Sequence, residues 1–228
     1  MLTGAETEAL TLSLSVAARS VVFSLPFAVL FAWLLTRRQF PGRVLLDAVV
    51  HLPLVLPPVL IGYLLLILLG VNGVLGSWLD RAFGVRLAFT AGGAALATAT
   101  MSFPLMVRSI RIALEGVDRG LEEAARTLGA GAVDRFFTVT LPLMSPGVLA
   151  GAVTAFAASL GEFGAVITFA GNIPGETRTL PLALYTALQL PNGDETAARL
   201  AAISFVLGLA GLIFSEWLAR ALRRFIGR

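Results

Sequence analysis

Residue types that commonly carry chemistry are scarce in this 228-residue sequence. Cysteine is absent, which excludes disulfides and thiolate metal sites. His51 is the only histidine, so most histidine-based metal sites and nucleophile–histidine pairs are excluded as well. Lysine is also absent, although the loop that binds ATP phosphates in P-loop enzymes needs one. The sequence therefore predicts neither an enzyme nor a chain that binds a metal, another cofactor or ATP by itself.

Two charged residues lie within long apolar stretches: Glu162, in the segment SLGEFG, and Arg19. A charge inside a membrane is costly unless it is paired, neutralised or facing water, so both residues are candidates for a special role. Because they lie at similar depths in their segments, one expectation is an ion pair between them. Capping of a helix end by Glu162 is a second. Direct contact of Glu162 with an anion is a third, which is disfavoured because a carboxylate repels anions.

Small and polar residues surround Glu162. Gly161 and Gly164 flank it, and glycine allows two helices to approach closely, either at a dimer axis or in ordinary packing. Thr168 and Asn172 follow in the same predicted helix and carry groups that can hydrogen-bond an oxyanion. We therefore treat these five residues, with Arg19, as candidate pathway or helix-packing residues.

The elements that must position these residues are membrane helices. The sequence is 57% hydrophobic and only 14% charged, with a mean hydropathy of +0.87, whereas soluble domains carry about a quarter charged residues. A membrane helix needs about 20 mostly apolar residues, and five windows qualify: Leu10–Leu35, Ala48–Leu69, Leu87–Val107, Gly147–Ala170 and Leu200–Leu222. Since lipid offers no hydrogen bonds to the backbone, we expect an all-α polytopic bundle of about five transmembrane helices, forming a single domain over residues 1–228.

Prolines predict where these helices are interrupted. Pro26, and the prolines of HLPLVLPPVL (residues 51–60), predict kinks or broken turns in the first two windows. Pro142 and Pro146 predict a break in the chain before the fourth window. The apolar run Leu180–Leu190 is too short to cross a membrane and is expected to form a re-entrant or interfacial helix.

Arginine placement predicts the orientation in the membrane. Of the 17 arginines, 12 fall on one side of the predicted helices and four on the other, with Arg19 inside the first window. Because positive loops stay in the cytoplasm, we expect the N-terminus outside and the C-terminus inside the cytoplasmic (inner) membrane. The same asymmetry accounts for the basic character of the chain without nucleic acid as a partner.

The most polar long internal stretch is EEAARTLGAGAVDRFFTVTLP, residues 122–142, on the predicted cytoplasmic side. Asp118 can cap a helix start, and Gly129 and Gly131 can end it. One face of this helix carries Leu121, Ala124, Ala125 and Leu128. The pattern predicts an amphipathic helix of about three turns outside the bilayer. Such a short helix is marginal alone, so it either packs on its own bundle or docks on another protein.

The segment EAARTLG, Glu123–Gly129, followed by VTLP at Val139–Pro142, resembles the EAA loop of permease subunits in binding-protein-dependent ABC importers. The family pattern is Glu-Ala-Ala, three residues, Gly, nine residues, then Ile-x-Leu-Pro, and only Val139 departs from it. In that family the loop is a coupling helix seated in a cleft of the cytoplasmic ATPase subunit. The resemblance implies that the loop, about residues 111–142, couples to an ATPase. The residues implied are Glu123, Ala124, Ala125, Gly129, Leu141 and Pro142.

The resemblance runs almost end to end and is closest to molybdate permeases, in the segments Phe40–Leu66, Met101–Asp118 and Ser159–Leu188. It implies a type I importer fold, a second copy of this chain, and a partner ABC ATPase dimer that binds ATP and magnesium. It also implies a separate extracytoplasmic molybdate-binding protein, with lipid around the bundle. Sulfate, thiosulfate and tungstate permeases stay open, since molybdate and sulfate are both tetrahedral dianions. An ATP-independent channel or secondary transporter is a remote alternative, because inverted repeats are not evident.

Overall fold

The computed structural model describes residues 3–226, and every regular element in that range is a helix. In chain order these are α1 Gly4–Arg37, α2 Arg43–His51, α3 Pro58–Leu69, α4 Val74–Phe83, α5 Ala91–Glu115, α6 Arg119–Thr127, α7 Ala132–Arg135, α8 Leu141–Leu160, α9 Gly164–Phe169, α10 Leu180–Leu188 and α11 Asp194–Ile226. A 3-10 turn, Leu52–Leu54, follows α2, and a π-helical turn, Phe136–Thr140, joins α7 to α8. The all-α prediction is confirmed.

Helix α1 is long enough to cross a bilayer with turns to spare. Its 34 residues span about 51 Å at 1.5 Å per residue, against a hydrocarbon core of about 30 Å. Thr3 and Glu6 start it with a reciprocal capping box, in which each side chain accepts a hydrogen bond from the other's backbone N–H. One face buries Ala17, Ala28 and Ala32, while Phe23, Phe27 and Leu30 are exposed. An exposed apolar face of this length suits lipid.

The second predicted window is broken, as its prolines indicated. Helices α2 and α3 meet at an angle of 114°. Pro58 stands at the start of α3, where its missing N–H costs no helical hydrogen bond. The pair is either one broken span or a re-entrant loop.

The fourth window differs from its prediction at both ends. The helix does not begin after Pro142 and Pro146, because Ala132–Leu160 is helical throughout. Pro142 has no backbone N–H to donate to a helical hydrogen bond. The π turn before it contains one extra residue, which accommodates the missing hydrogen bond. At the other end α8 stops at Leu160, and α9 starts separately at Gly164. Glu162 therefore lies in a break and not inside one continuous helix.

The predicted number of five spans is not confirmed. Among residues 3–226, three helical stretches are long and apolar enough to cross a membrane, namely Gly4–Arg37, Ala132–Leu160 and Asp194–Leu218, and the α2–α3 pair makes a fourth if counted as one span. Helix α5, in the third predicted window, is not among them. It is rich in alanine, glycine and threonine, and it packs between α1 and α8. Small residues on α5 allow this close packing at the expense of apolar character.

Buried residues form two main clusters along the bundle. One lies around Met106, Ile110 and Met144, where α1, α5 and α8 meet. The other lies around Val166 and Phe169, where α9 packs against α3 and α5. The first cluster supports the base of α6, and the second holds the broken region around Glu162.

Candidate coupling site

Helix α6 has the local structure that its end residues predict. The Asp118 carboxylate accepts a hydrogen bond of 2.8 Å from the Gly120 N–H, which caps the helix start. At the other end Gly129 has φ +91°, a left-handed conformation that favours glycine. The reversal brings the Ala130 N–H to 3.0 Å from the Ala125 carbonyl oxygen. The predicted helix is confirmed, at nine residues.

The apolar face of α6 is not packed against its own bundle. Leu121 is 49% exposed and Leu128 is 89% exposed. Ala124 between them is exposed, and Ala125 is half-buried. Glu123 is exposed too. A helix of this length needs a surface to stabilise it, and this face is free to provide one side of such a contact.

A second face of α6 is fixed to the bundle through Glu122. Its Oε1 accepts a hydrogen bond from the Arg37 guanidinium at 3.1 Å and another from the Thr140 hydroxyl at 2.8 Å. Arg37 also donates to the carbonyl oxygens of Leu114 and Val117. The two charged side chains are 10% and 24% exposed, so their charges are largely withdrawn from solvent. This network joins α6 to the ends of α1 and α5 and to the π turn before α8.

Sequence reasoning missed this network. Arg37 and Glu122 are 85 positions apart, and no local pattern predicts a partner for Glu122. The sequence contains one signal for this network, the clustering of arginines at the end of the first window. That clustering indicates a polar helix end but does not identify Glu122 as the partner of Arg37.

The end of the loop is built differently from its start. Leu141 is half-buried against the cluster around Met144. Its N–H donates to the Phe136 carbonyl oxygen, five residues earlier, which closes the π turn. Pro142 is exposed in the first turn of α8. These residues therefore shape the backbone that carries α6.

The residues around Glu162 cap and pack helix ends. Its Oε1 accepts a hydrogen bond of 2.9 Å from the Ala165 N–H at the start of α9, as the capping alternative predicted. Arg19 is exposed on α1, and residues 3–226 contain no ion pair between it and Glu162. At Gly164 an added Cβ would lie 2.7 Å from the Pro58 Cβ, so α9 and α3 touch closely there. At Gly161 the nearest atom would be 3.7 Å away.

Thr168 and Asn172 already have partners within the chain. The Thr168 hydroxyl donates to the Gly164 carbonyl oxygen in its own helix, at 2.8 Å. The Asn172 side chain donates to the Thr186 hydroxyl at 2.8 Å and accepts from Arg178 at 2.9 Å. In this conformation the Asn172 side chain holds the chain after α9 in place, whereas the Thr168 hydroxyl bonds only within α9. Glu162, Gly164 and Thr168 thus belong to one contact region, and Asn172 belongs to the loop before α10.

A second polar cluster, also missed from the sequence, fixes α2 to α5. The Asp47 carboxylate accepts a hydrogen bond of 2.7 Å from Arg111. The His51 Nδ1 lies 2.9 Å from the Asp47 carbonyl oxygen and 3.1 Å from its carboxylate. The His51 side chain is half-buried. Arg111 therefore acts as a packing partner on the side where α6 lies.

Comparison with known proteins places the chain in a class. Residues 24–224 match the family described as the binding-protein-dependent transport system inner membrane component. The match covers most of the chain, and the chain belongs to this family.

Comparisons with individual proteins show which members of the family this chain is similar to. The chain is 60% identical over 228 residues, all of both chains, to the molybdenum transport system permease protein ModB of Escherichia coli strain K12. It is 42% identical over 189 residues, 82% of this chain and 68% of the relative, to the sulfate transport system permease protein CysT of the same strain. A crystal structure of a bacterial alginate ABC transporter in complex with alginate pentasaccharide-bound periplasmic protein has the same fold, with a TM-score of 0.75 at 20% identity, over 98% of this chain and 80% of that chain.

Proposed function

We propose that this chain is the permease subunit of an ATP-driven importer that carries molybdate across the cytoplasmic membrane. The observation that carries the proposal is the geometry of α6, whose polar face is fixed to the bundle by Glu122 while its apolar face is exposed. A helix held in this way can receive a push from a docked protein and pass it to α1, α5 and α8. The chain has no lysine for a phosphate-binding loop, so ATP with magnesium belongs to the partner.

The partner at α6 is a cytoplasmic ABC ATPase dimer, and the residues that meet it are Glu123, Ala124, Ala125 and Gly129. Small side chains at 124 and 125 let a cleft close around the helix. Since one chain offers one α6 and the engine has two ATPase subunits, the importer contains a second copy of this chain. The pathway then runs between the two copies, and ATP binding drives the change because it favours one state of the pair over the other. Leu141 and Pro142 set the angle at which the loop returns to α8.

Substrate capture belongs to a separate extracytoplasmic molybdate-binding protein on the side of the N-terminus. Molybdate is favoured by the 60% identity to a molybdenum permease over the full length of both chains, against 42% to a sulfate permease over part of them. Sulfate, thiosulfate and tungstate are the alternatives within the class. Loading the cognate binding protein with each anion in turn, and measuring uptake into vesicles, discriminates among them.

The decisive test is reconstitution. The permease is co-purified with the neighbouring ATPase, placed in lipid, and tested for ATP hydrolysis that rises with the molybdate-loaded binding protein. Uptake that proceeds without ATP would instead indicate a channel or a secondary transporter.

Changing Gly129 to valine gives the first prediction. Because φ is +91° there, a β-branched residue is strained and the end of α6 must rearrange. We expect the stimulated hydrolysis to be lost while the melting temperature of the membrane domain changes little, since no atom lies within 4 Å of an added Cβ. Gly131→Val is the matched control, because Gly131 has an ordinary φ of −65° and equally open surroundings. Normal stimulation in Gly129→Val would contradict the coupling role.

A further inference from the structure

A groove of about 600 Å³ lies between α1 and the chain that follows α6. Its walls are apolar, with Leu30 and Trp33 on α1 and Phe137 on the π turn. Its charged lining residues are four arginines and one acid, Glu122, which is paired with Arg37; the other three arginines are Arg38, Arg119 and Arg135. Leu30 and Phe137 are 54% and 60% exposed, so the groove opens onto the apolar surface of the bundle. The groove therefore combines an apolar surface with positively charged side chains.

A polar cavity of about 660 Å³ adjoins this groove and shares Arg37, Arg38 and Arg119 with it. It adds Arg43, so four arginines line it against one acid, Glu115. Like charges placed together repel unless an anion lies between them. The cavity is accordingly suited to a group that carries negative charge.

Two buried donors in this cavity have no acceptor within the described residues. They are the Thr36 hydroxyl and the Arg37 Nε. The Arg37 side chain is 10% exposed, and its terminal nitrogen is occupied by Glu122 and two carbonyl oxygens. Buried polar groups nearly always have a hydrogen-bond partner. A ligand with several acceptor oxygens beside these two groups would supply the partner that both donors lack.

We propose that the groove and the cavity together bind one anionic phospholipid, with an acyl chain along Leu30, Trp33 and Phe137 and the phosphate among the arginines. Basic pockets between membrane helices on the cytoplasmic side are suited to such headgroups. Trp33 supports this placement, because the Arg38 guanidinium lies 5.2 Å above its ring, and tryptophan is enriched at the membrane interface. A phospholipid headgroup and free inorganic phosphate present the same phosphate group to the arginines, so competition between the two distinguishes them.

The site depends on the membrane fold and not on transport. It would, however, lie directly behind α6, because Arg37 holds Glu122 and Arg119 is the first residue of α6. A bound phosphate would keep the Arg37 side chain ordered for its contact with Glu122. The lipid would thereby support the rigidity of the joint through which α6 meets the bundle.

Trp33 fluorescence tests the proposal in the intact chain. Trp78 and Trp217 are both exposed, and the variant Trp78→Phe/Trp217→Phe leaves Trp33 as the single reporter. This protein is placed in bilayers that contain either brominated phosphatidylglycerol or brominated phosphatidylcholine at equal mole fraction. We expect stronger quenching by the anionic lipid. Each change, Arg38→Gln or Arg43→Gln, should lower the preference for it about fivefold, following the contribution of one arginine near an anionic surface.

Arg108→Gln is the matched control, because Arg108 is exposed on α5 and lines neither the groove nor the cavity. It should keep the full preference. Equal quenching by both lipids, or a preference that survives Arg38→Gln with Arg43→Gln, would overturn the site. If inorganic phosphate at millimolar concentration displaces the brominated lipid, the site takes free phosphate and the lipid assignment is wrong. The lipid preference is measured without an ATPase, so a permease that fails to stimulate ATP hydrolysis would not affect this result.

Discussion

At the scale of single residues, Glu122 and Glu123 are adjacent acids with opposite surroundings. Glu122 faces inward, to Arg37 and Thr140, whereas Glu123 is exposed. The resemblance to the EAA loop implies a role for Glu123 alone. The contacts add a different role for Glu122, which is to hold the helix that presents Glu123.

Glu122→Gln should therefore lower both the stability of the fold and the coupling between the ATPase and the membrane helices. The change leaves the Arg37 charge without its partner in a largely buried site, which costs about 1–3 kcal/mol, so the melting temperature in detergent should fall. Binding of the ATPase should persist, while the stimulation of hydrolysis by the loaded binding protein should drop. Glu123→Gln is the comparison, and it should leave the melting temperature unchanged and weaken ATPase binding. Indistinguishable behaviour of the two variants would refute this division of roles.

At the scale of elements, α3 and α9 approach each other closely beside Glu162. Gly164 lies against Pro58, and at Gly62 an added Cβ would be 2.6 Å from the Ala165 carbonyl oxygen. Glycine on both sides lets a short helix of six residues sit against a longer one. The glycine at 161, by contrast, ends α8 and touches little.

Gly164→Val and Gly161→Ala test this distinction. Valine at 164 must displace Pro58, and overpacking of this kind costs about 1–3 kcal/mol, so the yield of folded protein and its melting temperature should fall. Alanine at 161 meets no atom closer than 3.7 Å and should be tolerated. Equal tolerance of both changes, measured by size-exclusion profile and thermal unfolding, would show that α9 does not depend on this contact.

Local chemistry explains which elements could be predicted from the sequence. Asp118 and Gly129 act on their own helix, so the bounds of α6 followed from residue types. The prolines of residues 51–60 act locally as well, and the break they predicted is present. Pro142 and Pro146 do not break the chain as predicted: a π turn, closed by the bond from the Leu141 N–H to the Phe136 carbonyl oxygen, precedes Pro142, and Pro146 lies inside α8. The ion pair of Arg37 with Glu122 joins distant segments, and such a contact leaves no local signature.

At the scale of the whole molecule, the proposed coupling and the proposed lipid site both depend on the orientation of the chain in the membrane. Coupling to an ATPase and binding of a lipid on the cytoplasmic leaflet both require α6 to lie inside the cell, with the loop before α10 outside. The natural chain has no cysteine, so single cysteines can report each side without background. Thr127 on α6 and Glu176 in that loop are both exposed, which makes them a matched pair of positions.

With the permease expressed alone, a membrane-impermeant maleimide should label Glu176→Cys in intact spheroplasts. It should label Thr127→Cys only after the membrane is opened, because the sequence predicts 12 of the 17 arginines on the side of α6 and positive loops resist export. The cysteine-free parent is the control for background, and labelling in detergent shows that both thiols react. Reaction of Thr127→Cys in sealed spheroplasts would put α6 outside, beyond the reach of any cytoplasmic ATPase. The exposed face of Leu121 and Leu128 would then require an extracytoplasmic partner.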